Sequence, residues 1–73
     1  MEVDLPKIKQ LRKDNGLSQQ DMAYFLGYNT KWTYWRQETG VSEFTAVQLK
    51  KVAEIFQVPL ESLYKKKTEE VAK

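Results

Sequence analysis

The chain has 73 residues and a mass of 8.6 kDa, a length that fits one small domain. Its 12 Lys and Arg against 10 Asp and Glu give a formal charge of +2, which permits a nucleic-acid partner without requiring one. The sequence contains no Cys and no His, so disulfides, thiolate chemistry and the commonest metal ligands and neutral-pH acid–base groups are excluded. We therefore expect no enzyme, no metal and no cofactor, and binding is the favoured class of function.

The expected location is a reducing cytoplasm. No apolar run approaches the roughly 18 residues that suggest a membrane span. The acidic start of the chain lacks the apolar region of a signal peptide. Neither a membrane nor a small-molecule ligand is indicated as a partner.

The apolar spacing predicts the first two helices. Leu5, Ile8 and Leu11 recur at helical spacing, and Gly16 suits the left-handed position that ends a helix. Ser18 opens a second, short helix, with Asp at the position where a capping box usually carries Glu or Gln. The apolar stripe and the end of this second helix are given by Met22, Ala23, Leu26 and Gly27.

Three more helical segments follow. The third runs from about residue 31 to 39 and closes at Gly40. Thr45 is the expected N-cap of the fourth, whose apolar residues are Leu49, Val52, Ala53 and Phe56. Pro59 begins the fifth, which contains Leu60, Leu63 and Tyr64. No strand pattern is present, so we expect an all-α, compact five-helix domain over residues 1–64. Residues 65–73 are expected to be a charged tail or an extension of the fifth helix.

The second and third segments carry the functional signal. The residues Leu17 to Ala23, then Leu26-Gly27, then Glu38-Thr39-Gly40 describe two short helices around a tight turn, a geometry that suits the major groove of DNA. This pattern resembles the Xre/Cro family of phage-repressor-like helix-turn-helix domains over about residues 5–64. The resemblance implies a lambda-repressor-like fold and a regulator that binds double-stranded DNA, as a dimer on a pseudo-palindromic operator.

The resemblance also implies roles for individual residues. Gln19, at the start of the second helix, matches a position that contacts the DNA backbone. The third segment is the recognition helix, whose base-facing positions are Thr30, Lys31, Trp32 and Arg36. Asn29 and Thr33 are the further candidates for backbone contact. The alternatives are that Gln19 is an ordinary first-turn residue and that Lys31 and Arg36 form only a solvated face.

Side-chain chemistry distinguishes the base-facing candidates. The planar fork of Arg36 matches the two acceptors of guanine in the major groove. Lys31 can make the same contact or neutralise a phosphate. Trp32 cannot accept a hydrogen bond from a base edge, so its expected contact is the apolar methyl group of thymine.

Arg12 and Glu38 have a structural interpretation. The resemblance implies that they form an ion pair between the first helix and the end of the third. A buried Arg–carboxylate pair fixes orientation, and losing one partner is costly because the other is left buried and unpaired.

The chain departs from the family pattern at the recognition helix. Between Gly27 and Gly40 there is one residue more than in the commonest family spacing. We place it in the turn 28–30, so the phase of the recognition helix stays open by one position. Gln37 stands where the family usually has an apolar core residue, and Trp35 where it usually has an exposed polar one. Either Trp35 lies in the core and Gln37 outside it, or Trp35 is exposed. Because burial of Trp is favourable, we expect Trp35 in the core. The base-facing set then shifts toward Thr33, Arg36 and Gln37.

Six of the nine aromatic residues lie between positions 24 and 35. Three interpretations are open. These residues could extend the core, form a contact surface for a second protein or subunit, or stack on single-stranded bases. The contact surface would comprise Tyr24, Phe25, Trp32 and Trp35, and its function would be that of an antirepressor-like or inhibitory protein-interaction module. Leu60 and Tyr64 are candidates for a dimer surface, with capping of the monomer core as the alternative.

The positive charge is unevenly distributed. Residues 28–40 have a net charge of +1 and residues 65–73 a net charge of +2, whereas residues 1–27 are neutral and residues 41–64 have a net charge of −1. Few phosphate contacts are therefore expected per monomer. Strong DNA binding would need a dimer or a partner.

Overall fold

Four α-helices and one short 3₁₀ helix form the part of the chain that the structure describes. This computed structural model describes residues 2–65. The helices are α1 (Leu5–Asp14), α2 (Gln19–Phe25), α3 (Lys31–Thr39) and α4 (Ala46–Phe56), and the 3₁₀ helix is Leu60–Leu63. The all-α prediction is confirmed.

Side-chain caps set where the helices begin. The side chain of Asp4 caps the start of α1. Ser18 Oγ accepts the amide of Asp21 at 3.0 Å, and Asp21 Oδ2 accepts the amide of Ser18 at 2.9 Å. Thr45 and Gln48 make the same reciprocal pair at the start of α4. These bonds satisfy N–H groups that every helix start leaves without a partner, so the two capping boxes fix both helix starts locally.

The fifth helix is shorter than predicted. Only Leu60–Leu63 is helical, as a single 3₁₀ helix, because the backbone of Tyr64 is extended and forms an antiparallel bridge with Val3. The amide of Asp4 donates to the carbonyl of Leu63 at 2.8 Å. This pairing of the two segments stops the helix after one turn. The predicted tail over residues 65–73 lies outside the described residues apart from Lys65, and its extent stays a prediction.

One apolar core joins all the helices. The buried residues come from every element, and Tyr34 is the largest of those that are fully buried. They are Ile8, Met22, Ala23, Leu26, Tyr34, Leu49, Val52, Ala53, Phe56 and Leu63. Because the buried side of α3 is anchored in this core, its opposite side is held facing outward.

The turn between α2 and α3 reverses the chain in a few residues. Gly27 has a φ of +79°, in the left-handed region that glycine adopts at little cost. The amides of Gly27 and Tyr28 donate to the carbonyls of Tyr24 and Ala23 at 3.1 and 2.8 Å, which closes the end of α2. The chain then starts α3 at Lys31, so α2 and α3 form a helix-turn-helix.

Candidate nucleic-acid interface

The burial pattern of α3 fixes its helical phase. Tyr34, Gln37 and Glu38 are buried at the i, i+3, i+4 spacing that marks one side of a helix. The exposed residues lie on the opposite side and are Lys31, Trp32, Trp35, Arg36 and Thr39. We call these five residues the outer face of α3. It contains three of the four predicted base contacts, and the fourth, Thr30, is the N-cap of the helix.

The prediction that Trp35 is buried and Gln37 exposed was wrong. Gln37 is 5% exposed and Trp35 is 38% exposed. Tyr28 Oη donates to Gln37 Oε1 at 2.7 Å, and Gln37 Nε2 donates to Gln48 Oε1 at 2.8 Å and to the Glu43 carbonyl at 3.3 Å. A buried amide with all these partners carries little desolvation cost, so Gln37 occupies the core position. The proposed shift of the base-facing set to Gln37 is therefore also wrong.

The ion pair between Arg12 and Glu38 is present and buried. Arg12 Nε donates to Glu38 Oε2 at 2.8 Å and Arg12 Nη2 donates to Glu38 Oε1 at 3.2 Å. Arg12 Nη1 also donates to the carbonyl of Leu17 at 2.9 Å, at the start of the helix-turn-helix. The contact between the guanidinium and the carboxylate is bidentate, which fixes their relative orientation as well as their distance. The pair thus joins α1 to the last turn of α3.

Two further side chains complete the environment of Glu38. Tyr34 Oη donates to Oε2 at 2.7 Å, and Gln19 Nε2 donates to Oε1 at 3.0 Å. Burial alone would raise the pKa of Glu38, but the hydrogen bonds from Arg12, Tyr34 and Gln19 outweigh it and leave that pKa below its ordinary value. Burial and the adjacent carboxylate raise the pKa of the Tyr34 hydroxyl. The network is therefore Arg⁺ and Glu⁻ with a neutral Tyr donor at physiological pH.

Of the three predicted backbone contacts, Gln19 belongs to this network, whereas Asn29 and Thr33 make no bond to it. Gln19 is half-buried, and its bond to Glu38 holds its amide between the start of α2 and the end of α3. Asn29 is exposed in the turn. Thr33 is half-buried at the edge of the outer face, and the hydroxyl of Thr30 makes no capping bond.

The outer face of α3 is aromatic and basic. The rings of Trp32 and Trp35 meet edge to face, with 6.0 Å between their centroids and 78° between their planes. Lys31 Nζ lies 5.2 Å from the centroid of the Trp32 ring, a cation–π distance. The Arg36 guanidinium is exposed, and it makes no hydrogen bond or ion pair within residues 2–65. Trp35 also belongs to this face, although the preference of tryptophan for burial predicts it in the core. The hydrogen-bond partners of Gln37 explain why Gln37, and not Trp35, is the buried residue.

The other predicted contact residues lie on separate surfaces. Tyr24 is 78% exposed on α2, and its ring meets that of Phe25 edge to face at 5.7 Å. Leu60 is 36% exposed, and Tyr64 is half-buried beside Val3. The aromatic contacts of the described residues do not join the Tyr24–Phe25 pair to the pair on α3.

A concavity of about 490 Å³ lies between the N-terminal segment and the α3–α4 loop, and no residue of the outer face of α3 lines it. Within residues 2–65, no cluster of acidic side chains is arranged to hold a metal ion. No helix there has the length and apolar content that crossing a membrane requires.

Comparison with known families agrees with this geometry. A family model described as helix-turn-helix matches residues 8–63, a range that runs from α1 to the end of the 3₁₀ helix. No curated protein and no solved structure gives a match to the chain. The matched range covers more than half of the chain and includes the Arg12–Glu38 pair and the outer face of α3. The chain belongs to the Xre-type helix-turn-helix family of DNA-binding regulators.

Proposed function

We propose that this protein is a transcriptional regulator of phage or mobile-element type that binds a specific sequence of double-stranded DNA with α3 in the major groove. The observation that carries the proposal is the outer face of α3, which presents two cations and no anion while the buried side of the helix is locked to the core. A projecting helix of this kind fits the width of the major groove. Such a partner places the protein in the cytoplasm of a bacterial cell or of a phage-infected host.

Four residues are assigned to base contacts. The Arg36 guanidinium has no hydrogen-bond or ion-pair partner among residues 2–65, and its fork matches the O6 and N7 acceptors of guanine. Lys31 extends from the first turn of α3, the end of a recognition helix that contacts base edges. Trp32 supplies an apolar surface for a thymine methyl group, and Thr30 supplies a hydroxyl at the N-cap.

Three residues are assigned to the DNA backbone. Gln19 uses one amide hydrogen on Glu38, which leaves the second amide hydrogen for a phosphate oxygen. Asn29 and Thr33 flank the start of α3 and offer short polar groups. These contacts set the register of α3 in the groove and carry no sequence information themselves.

We propose that the protein binds as a homodimer on a pseudo-palindromic operator. Arg12 is engaged by Glu38, so Lys31 and Arg36 are the basic residues of α3 available to DNA. Few phosphate contacts per monomer give weak binding, and two copies one helical turn apart would multiply the affinity. Tyr24, Phe25 and Leu60 are the exposed candidates for the dimer surface. The backbone of Tyr64 is already paired with Val3, so only its half-buried side chain could take part in the dimer surface.

Selection from a pool of randomised duplexes tests the proposal. The full chain should enrich one site with two related half-sites, and binding to that site should weaken as a linear function of the logarithm of salt concentration. The mass of the complex on the enriched duplex gives the number of copies bound. A failure to enrich any duplex would overturn the proposal.

A second candidate function is a protein-interaction module on the same scaffold, with an antirepressor-like or inhibitory role. The observation that favours it is the exposure of two separate aromatic pairs, Tyr24 with Phe25 and Trp32 with Trp35, since exposed apolar surface marks contact sites. A protein that co-purifies in equal amount and is lost in Phe25→Ala, together with absent duplex binding, would favour this candidate.

A further inference from the structure

The two tryptophans of α3 form a single apolar surface at the middle of its outer face. Trp35 is four residues after Lys31 and four before Thr39, so it lies one turn from each on the same side of the helix. The side chain of Trp32 is 53% exposed and meets Trp35 edge to face. The buried positions of α3 are taken by Tyr34 and Gln37, and both indoles remain exposed on the outer face. Apolar area therefore remains to be covered by a ligand.

We propose that the Trp32–Trp35 pair reads thymine in the major groove, and that Trp35 is a specificity-determining residue in addition to the four assigned above. This inference rests on the proposed function, because it requires α3 to lie in the groove. It identifies the base pairs at the centre of each half-site as A·T, with a thymine methyl group against each indole.

The chemistry of indole matches thymine better than the other three bases, because guanine and adenine present acceptors in the major groove but no methyl group. An indole has a large apolar surface and one N–H group that can only donate. Thymine presents an acceptor, O4, next to the apolar C5-methyl group. Cytosine presents an amino donor where thymine has O4, and it has no methyl group. A donor-only apolar side chain is therefore matched by thymine and mismatched by cytosine.

The hydrogen bonds around the pair leave both indoles available. Neither indole N–H has a hydrogen-bond partner within residues 2–65. The hydroxyl of Thr39 donates to the backbone carbonyl of Trp35 at 2.8 Å and makes no hydrogen bond to the indole. Lys31 Nζ lies 5.2 Å from the centroid of the Trp32 ring, and this cation–π contact leaves the indole N–H free.

The charge around the pair favours DNA over a protein surface as the partner. The outer face of α3 carries Lys31 and Arg36 and no acidic residue, since Glu38 is buried against Arg12. An apolar strip between two cations complements a groove whose rims are phosphates and whose floor contains methyl groups.

Replacement of thymine by deoxyuridine tests the inference, because it removes the methyl group and retains O4. On the duplex enriched from the random pool, each central thymine is replaced in turn and the Kd of the full chain is measured. Each contacted methyl group should be worth about fourfold in Kd. In Trp35→Ala the loss at one of these positions should vanish, and in Trp32→Ala the loss at another. Val47→Ala trims an exposed apolar residue of α4 that is assigned to neither DNA nor dimer contact, and it should keep the whole deoxyuridine pattern. Thermal unfolding of each variant identifies any loss caused by misfolding.

The outcomes separate this inference from the proposed function. An enriched duplex without central thymines, or one that tolerates deoxyuridine at every position, overturns the inference and leaves duplex binding intact. Trp variants that keep the wild-type Kd for the duplex but lose a bound protein also overturn it. Failure to bind any duplex overturns the proposed function itself.

Discussion

Arg12 and Glu38 join α1 to the last turn of α3 through two parallel hydrogen bonds, of 2.8 and 3.2 Å. Tyr34 and Gln19 bond to the same carboxylate, so one buried group links three helices. The outer face of α3 is consequently oriented by a polar network as well as by apolar packing. A change in that network should alter both stability and the presentation of the outer face.

The first prediction concerns the two partners of this pair. Glu38→Leu leaves Arg12 buried without a carboxylate, which should lower the free energy of unfolding by about 3–5 kcal/mol. The double variant Arg12→Met/Glu38→Leu has no uncompensated charge and should lose much less than the sum of the two single changes. Urea unfolding of the four proteins measures the coupling. Additive losses would contradict the coupling.

The second prediction concerns acid. The pKa of Glu38 in the folded protein lies below its ordinary value of 4.5, so the unfolded state binds the proton more tightly. The stabilisation is therefore complete above pH 4.5 and is lost as the pH falls through the folded pKa. The free energy of unfolding should decrease below pH 4.5 more steeply in the wild type than in Arg12→Met/Glu38→Leu. Equal acid slopes in the two proteins would show that Glu38 does not contribute.

The third prediction concerns the amide in the core. Tyr28→Phe removes the hydroxyl that donates to Gln37 Oε1, which leaves a buried acceptor short of a donor and should cost about 1–3 kcal/mol. Tyr24→Phe is the matched control, since it removes the hydroxyl of a largely exposed tyrosine and should change stability by less than about 0.5 kcal/mol. Thermal and urea unfolding compare the two. If both variants lost the same free energy of unfolding, the hydrogen bond from Tyr28 to Gln37 would not stabilise the core.

The fourth prediction concerns Gln19. Gln19→Ala removes the amide assigned to a phosphate and should weaken binding to every duplex by a similar factor, about fivefold for one hydrogen bond. Because Gln19 is neutral, the salt dependence should stay the same. Gln20→Ala changes the exposed neighbouring glutamine and should bind as the wild type does. A loss in Gln19→Ala confined to one duplex sequence would indicate a base contact instead.

Local signals were sufficient to predict most of the fold. Ser18 and Thr45 begin helices through bonds to residues three positions later, and Gly27 and Gly40 end them with positive φ. These signals are read within a single turn of chain. The ion pair of Arg12 with Glu38 is long-range, and the family resemblance, not the spacing, indicated it.

The failures arose where distant partners decide the outcome. A general preference for buried tryptophan placed Trp35 in the core, but Tyr28 and Gln48 supply the bonds that make Gln37 the better core residue. Helical periodicity likewise predicted a full fifth helix, although pairing of Tyr64 with Val3 stops it. Neither interaction leaves a local pattern in the sequence.

The base-preference profile of Arg36→Ala tests the central claim, that the outer face of α3 reads the major groove. The affinity of the full chain is measured for the enriched duplex and for every single base-pair change, in the wild type and in the variant. We predict that Arg36→Ala weakens binding by about 1–3 kcal/mol and loses the preference for guanine at one position of each half-site, while other preferences remain. An unchanged profile in Arg36→Ala would contradict the claim.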